Sequence, residues 1–324
     1  MNRRTDRRNF LKQAAAAMGT AAVGGSFMPR KLAAAEPVAT RPLVRLGGPV
    51  FKAPQDPEGL ALAHRTLGYR AAYCPNVPLG DADRIRDVVR AFARHDVVLA
   101  EVGRWCNLLD ADAAKRAANL KTVTEGLALA EALGARCCVD IAGSFSPKSW
   151  FGPNPKNLSK EFFDASVENA RKIIDAVRPK RAKFAFEMMG WAIPDTADSY
   201  VALIKAVDRP AFGAHLDACN TINSPEKYYH NTALLGELFD KLAPWIVSCH
   251  AKDLAWSNPV EMNVHLVEVI PGKGVLDYAT YLKRIAALPG EVPLMLEHLK
   301  TAEEYDEAKR HIMEVGGKAG VRFE

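Results

Sequence analysis

Phe212-Gly213-Ala214-His215-Leu216-Asp217 is a short, mostly apolar run closed by an acid. The pattern occurs upstream as Phe184-Ala185-Phe186-Glu187, and downstream as Ile246-Val247-Ser248-Cys249-His250 and Leu294-Met295-Leu296-Glu297. Apolar runs this short read as buried strands. Four more such runs precede them, at residues 43–46, 71–74, 97–102 and 137–141. Between the runs lie segments with helical apolar spacing: Ile85, Val88, Val89 and Phe92 form one stripe, and Phe162, Val167, Ile173, Ile174 and Val177 belong to another. Turn chemistry falls at the junctions. Asp81 and Asp110 are placed to cap helices, Gly68 and Gly134 to end them, and Pro179, Pro210, Pro244 and Pro289 precede the next strand. Strand then helix, repeated eight times, predicts an α/β protein of the (β/α)₈ TIM-barrel class. A doubly wound open sheet fits less well, because no G-x-G-x-x-G follows the first strand.

The four ligand-type closers, Glu187, Asp217, His250 and Glu297, are 30, 33 and 47 residues apart, which is one βα unit, another, and one with an added loop. In a barrel the C-terminal ends of neighbouring strands converge on one mouth, where active sites of this fold are built. Three carboxylates and one imidazole at that mouth make a mixed oxygen and nitrogen site. With no thiolate it suits Mn²⁺, Mg²⁺ or Co²⁺ better than a structural zinc. Side chains alternate along a strand, so Lys252 shares the face of His250, and His215 that of Asp217. Lys252 is a candidate to stabilise negative charge that develops on an oxygen. His215 and Asn220 are candidates to orient a ligand or bind substrate. His265, in the added loop, is a candidate general base, and Trp150, Trp191 and Trp256 stand where aromatic walls of a ligand site would. His298 should point away from the lumen if the strand is still extended there. Few Lys or Arg residues occupy the last two strand ends, which argues against a phosphate group on the ligand.

The segments FEMMGW, FGAHLDACNTINSP, IVSCHAKDL, VIPGKGVLDY and LMLEHL resemble the sugar phosphate isomerase/epimerase superfamily, the xylose-isomerase-like TIM barrels. The resemblance runs from about Leu43 to Val315 and is strongest from Lys183 onward. It implies that Glu187, Asp217, His250 and Glu297 bind one divalent metal, Mn²⁺ foremost with Mg²⁺, Co²⁺ or Zn²⁺ as alternatives, and that Glu187 and Glu297 also handle protons. The implied reaction is proton abstraction next to a sugar carbonyl through an enediolate, giving isomerisation or epimerisation, or β-elimination when a substituent leaves. Asn220 stands where many ketose 3-epimerases carry a His. The LDxxN and SCHAKD forms are more like members related to deglycosidases and keto-sugar lyases.

The 324-residue chain carries 43 Lys and Arg against 38 Asp and Glu, a formal charge of +5. The excess lies in residues 1–35, where Arg3, Arg4, Arg7, Arg8, Lys12, Arg30 and Lys31 face only Asp6, so residues 36–324 carry a net charge of −1. Arg7-Arg8-Asn9-Phe10-Leu11-Lys12, the Ala- and Gly-rich stretch from Ala14 and the site Ala33-Ala34-Ala35 read as a cleavable twin-arginine signal, residues 1–35, ahead of one barrel domain, residues 36–324. The expected location is periplasmic or extracytoplasmic, and the expected partners are the twin-arginine machinery and a small sugar, with an oligomer allowed. That stretch is too weakly apolar for a stable membrane anchor. A near-neutral barrel argues against nucleic acid and against a metal-dependent endonuclease, which needs a basic groove. Four intact ligands argue against a binding module that has lost catalysis. The six cysteines lie mostly in buried runs, predicting free thiols and not a disulfide framework.

Overall fold

The structure is a computed structural model that describes residues 43–258 and 262–323. The twin-arginine signal expected at residues 1–35 lies outside the described residues. Eight parallel strands close into a barrel: β1 (Arg45–Gly47), β2 (Ala71–Tyr73), β3 (Val98–Gly103), β4 (Cys137–Asp140), β5 (Lys183–Glu187), β6 (Phe212–Leu216), β7 (Ile246–Ala251) and β10 (Pro293–Leu296). Each of the eight apolar runs supplies one of them. The added loop expected before the last strand folds further into an antiparallel hairpin of β8 (Asp253–Trp256) and β9 (Leu266–Val269).

Helices on the outside follow the capping chemistry. Asp81 accepts from Arg84 N to start α2 (Ala82–Arg94), and Gly134, at φ 69°, ends α3 (Ala113–Leu133) in the left-handed conformation that glycine adopts at little steric cost. The start of α3 differs from expectation. Asp112 is the cap, accepting from Ala114 N and Lys115 N, while Asp110, two residues earlier, accepts from Asp112 N. In α2 the residues Ile85, Val88 and Phe92 are buried and Val89 is exposed, so the packed stripe is narrower than the sequence suggested. All six cysteines are free.

The two faces of each strand carry different chemistry. Phe184, Phe186 and Phe212 face the helices and pack edge-on or tilted, with ring centroids 5.0–6.1 Å apart. Tyr200 from α5 (Ala197–Val207) joins them. Its hydroxyl donates to Phe186 O and accepts from His215 N, tying β5 to β6. Toward the lumen the bottom layer is small: Ala71 and Ala100 pack around Met295. At Gly47 an added Cβ would come within 2.5 Å of Ala71 O and 2.6 Å of Met295 Sδ. Above that apolar plug the lumen turns ionic.

Asp277 accepts from Thr280 N and from the hydroxyls of Thr280 and Thr232 at the start of α9 (Tyr278–Ala286). Burial pushes this carboxyl up, but the Thr280 and Thr232 bonds outweigh it and hold it below its ordinary 3.8. Asp277→Ala is therefore expected to cost about 1 kcal/mol at neutral pH. A lowered carboxyl stabilises the fold above its unfolded value and loses that share as pH falls through its folded value. Melting curves of both proteins should thus converge in acid.

Candidate metal centre

Glu187 ends β5, Asp217 follows β6, His250 is the fifth residue of β7 and Glu297 follows β10. Parallel register puts Glu187 opposite His215 and Met295 opposite His250, so all four side chains emerge at one end of the lumen. One ligand atom from each lies within 4.8 Å of the others. His250 Nδ1 is 3.0 Å from Glu187 Oε1, 2.7 Å from Glu297 Oε1 and 3.6 Å from Asp217 Oδ2. Asp217 is fully buried, and Asp217 Oδ2 and Glu297 Oε1 have no well-directed hydrogen bond but sit 2.9 and 2.6 Å from the Lys252 ammonium. Carboxylates crowded together in a buried site need positive charge close by. A divalent cation supplies it, and an all-oxygen set with one imidazole is the donor chemistry of Mg²⁺ and Mn²⁺ and is compatible with Zn²⁺. The residues fit such an ion.

The charges set the titration of the group. Burial pushes Glu187 up, only partly offset by His250. Burial also disfavours ionisation of Asp217 and Glu297, yet Lys252 and His250 outweigh it and hold both carboxyls low. His250 itself, despite burial, is held well above its ordinary value by Glu297, Glu101 and Glu187.

Beneath the centre stands Glu101, on β3, which the sequence reading did not single out. Its two oxygens are 2.9 Å from His250 Nε2 and 2.9 Å from His215 Nε2. Donation of Nε2–H to Glu101 turns Nδ1 of His250 to the centre, where release of its proton would free a lone pair for an ion, the carboxylate and histidine arrangement that orients metal ligands. The His215 and His250 rings meet edge to face, 4.2 Å apart. His215 is thus buried below the ligands, bonded to Glu101, with its backbone fixed by Tyr200.

The other candidates are distributed around the mouth. Asn220 donates to Glu187 Oε1 and Met188 O, and its backbone N–H donates to Asp217 Oδ1. Lys252 is buried with its ammonium 2.9 Å from Asp217 Oδ2 and 2.6 Å from Glu297 Oε1. Trp191 is exposed and donates to Phe151 O; Trp150 is exposed against the Phe151 ring. Trp256, the last residue of β8, packs on Tyr228 and Tyr229. His265 is exposed where the hairpin returns into β9, its carbonyl accepting from Ser257 N, and is not in the ligand cluster. Trp105, also unremarked in the sequence, is 43% exposed with its ring 6.3 Å from that of His250.

His298 departs from strand alternation. The strand stops at Leu296, and His298 takes φ 61°, an uncommon conformation for a residue with a Cβ. Its side chain therefore lines the same cavity as Glu297, with Nδ1 2.9 Å from Glu268 Oε2. That bond outweighs partial burial and holds the imidazole above its ordinary value. The cavity, about 280 Å³, is walled by Lys252, Lys273 and Lys300 together with Glu268, Glu297 and Glu304. More lysines meet here than the strand ends alone indicated, but an equal number of glutamates meets them. Asp140, a further acid at a strand end, pairs in register with Phe186 and so faces the helices, where it accepts from Cys106 N and Ile141 N.

The comparisons agree with this architecture. The chain matches the family model described as xylose isomerase-like TIM barrel over residues 62–315. No curated protein matches it significantly. Among solved structures it resembles the xylose isomerase-like TIM barrel protein of Mycobacterium smegmatis in complex with magnesium, at 19% identity and a TM-score of 0.60, over 86% of this chain and 98% of that one. It also resembles the 3-keto-D-glucoside 4-epimerase of E. coli, at 14% identity, TM-score 0.61, over 84% and 99% of the two chains. A third is the D-psicose 3-epimerase of Clostridium cellulolyticum H10, solved with D-tagatose, at 14% identity, TM-score 0.60, over 86% and 100%. At these identities the likeness is one of fold, and with the family match it establishes that the chain belongs to the xylose isomerase-like TIM barrel family.

Proposed function

We propose that this protein is a divalent-metal-dependent enzyme that removes a proton next to the carbonyl of an unphosphorylated sugar or keto-sugar and returns it, as an isomerase or epimerase does. The observation that carries the reading is the convergence of Glu187, Asp217, His250 and Glu297 on one buried point, each offering a ligand atom within 4.8 Å of the others. Those four residues would hold the ion, which supplies the positive charge that makes a C–H beside a carbonyl acidic enough to lose its proton. Glu187 and Glu297, from strands separated by β6 and β7 around the barrel, take up and return the proton. Asn220 holds Glu187 Oε1 in place. Trp105, Trp150 and Trp191 offer exposed ring faces at the mouth to a sugar. A cavity with three lysines and three glutamates suits a neutral polyol. Relatives of the same fold bear the names of ketose and keto-glucoside epimerases, which supports the class of substrate.

Loss of a β-substituent at the same centre is the second reading. It is favoured by Lys252, whose buried ammonium beside Glu297 can protonate a departing oxygen. Mn²⁺ is our preferred ion, and the Arg7-Arg8 segment our basis for twin-arginine export to the periplasm. Metal analysis of the purified protein, followed by NMR of ketoses and 3-keto-glycosides in D₂O, tests the assignment. Deuterium incorporation abolished by a chelator and restored by added metal is expected. Exchange without cleavage identifies the isomerase or epimerase, cleavage the lyase, and exchange indifferent to chelation overturns the reading.

A further inference from the structure

A second cation already stands among the candidate ligands. Lys252 Nζ approaches the same two oxygens, Asp217 Oδ2 and Glu297 Oε1, that a metal would claim, and is 3.8 Å from Glu187 Oε1. On its other side Glu268 Oε1 is 3.8 Å away, on β9 at the cavity wall, while His298 occupies the other oxygen of Glu268. The backbone around the lysine is anchored. Tyr278 donates its hydroxyl to Lys252 O, and the carboxylate of Asp253 accepts from the N–H groups of Leu254, Gly272, Gly274 and Leu276. The four-carbon stem, by contrast, has several rotatable bonds and carries a compact point charge.

We propose that Lys252 is a tethered competitor of the metal: its ammonium and a divalent ion contend for Asp217 and Glu297, and ion binding transfers the ammonium to Glu268 at the cavity wall. The proposal rests on the assignment of the metal centre and not on the sugar chemistry. Like charges a few ångströms apart in a buried site repel strongly, so the two cations cannot both keep those oxygens without a large loss of affinity. Glu268 gives the displaced ammonium a counter-charge within a short swing. Ion binding would then do two things at once, filling the centre and presenting an N–H donor to the cavity. It would also keep the ion's affinity lower than three carboxylates and an imidazole alone would give.

Calorimetric titration of Mg²⁺ and of Mn²⁺ into the wild type, Lys252→Met, Glu268→Gln and the double variant tests this. Lys252→Met is expected to bind either ion about ten-fold tighter or more. Glu268→Gln should weaken binding several-fold in the wild-type background and have no effect in the Lys252→Met background, a coupling that a double-mutant cycle isolates. Unchanged or weaker binding by Lys252→Met overturns the proposal. So does an equal effect of Glu268→Gln in both backgrounds, which would make Glu268 merely a nearby negative charge. Circular dichroism checks the fold of each variant, and should Lys252→Met not fold, Lys252→Gln replaces it with the same expectations. Wild-type protein that binds metal but exchanges no substrate proton would defeat the proposed function and leave this inference standing. Absence of metal binding in all four proteins overturns both.

Discussion

Glu101→Ala is expected to lower metal affinity by about 10- to 100-fold and to cost about 3–5 kcal/mol of stability. One carboxylate serves two fully buried imidazoles, His215 and His250. Its removal leaves both without their acceptor and frees the ring of His250 to turn away from the centre. Glu101→Gln keeps the volume and one acceptor, so it should cost less in stability while still loosening the ligand. Titration with Mg²⁺ and denaturant unfolding read the two effects separately, and wild-type affinity in Glu101→Ala would refute the orienting role. The sign of the pH dependence follows. Burial pushes the Glu101 carboxyl up, but the charges and hydrogen bonds of His250 and His215 outweigh it and hold it well below its ordinary 4.5. Its share of stability is thus present above that value and drains away as pH falls toward the folded one. Glu101→Gln should flatten this acid limb.

Glu187→Gln and Glu297→Gln are each expected to slow solvent-deuterium incorporation into substrate by about 10²- to 10⁴-fold, the usual contribution of a positioned acid or base. An amide is close to isosteric and keeps an oxygen for the ion, so measurement at saturating metal separates proton transfer from metal loss. NMR in D₂O supplies the rate. Exchange within a factor of a few of wild type in either variant would remove that residue from the proton path.

Glu187, Asp217, His250 and Glu297 were legible in the chain because a strand end marks a position in a barrel, and four successive ends share one mouth. Glu101 was not, for it sits inside an apolar run with Val102 and Gly103 still to come in the strand. Its inward aim depends on the shift of register between β2 and β3 at Ala72/Tyr73, which no single strand reveals. Asp140 shows the converse, an acid at a strand end whose parity turns it outward. The site of Lys252 followed from alternation, but its contact with two ligand carboxylates needed the curvature of β7 into the hairpin. His298 escaped because alternation holds only while the backbone stays extended.

The layer of Glu101, His215 and His250 also has a kinetic consequence. Every member is at most 1% exposed, and the plug of Met295, Ala71 and Ala100 lies below, so among the described residues nothing opens to the centre from beneath. On the proposed function, ion and substrate would share the mouth, and a sugar seated above the ion would cork its exit. Metal exchange should therefore stall while substrate is bound, making occupancy of the ion a property that each turnover inherits from the one before.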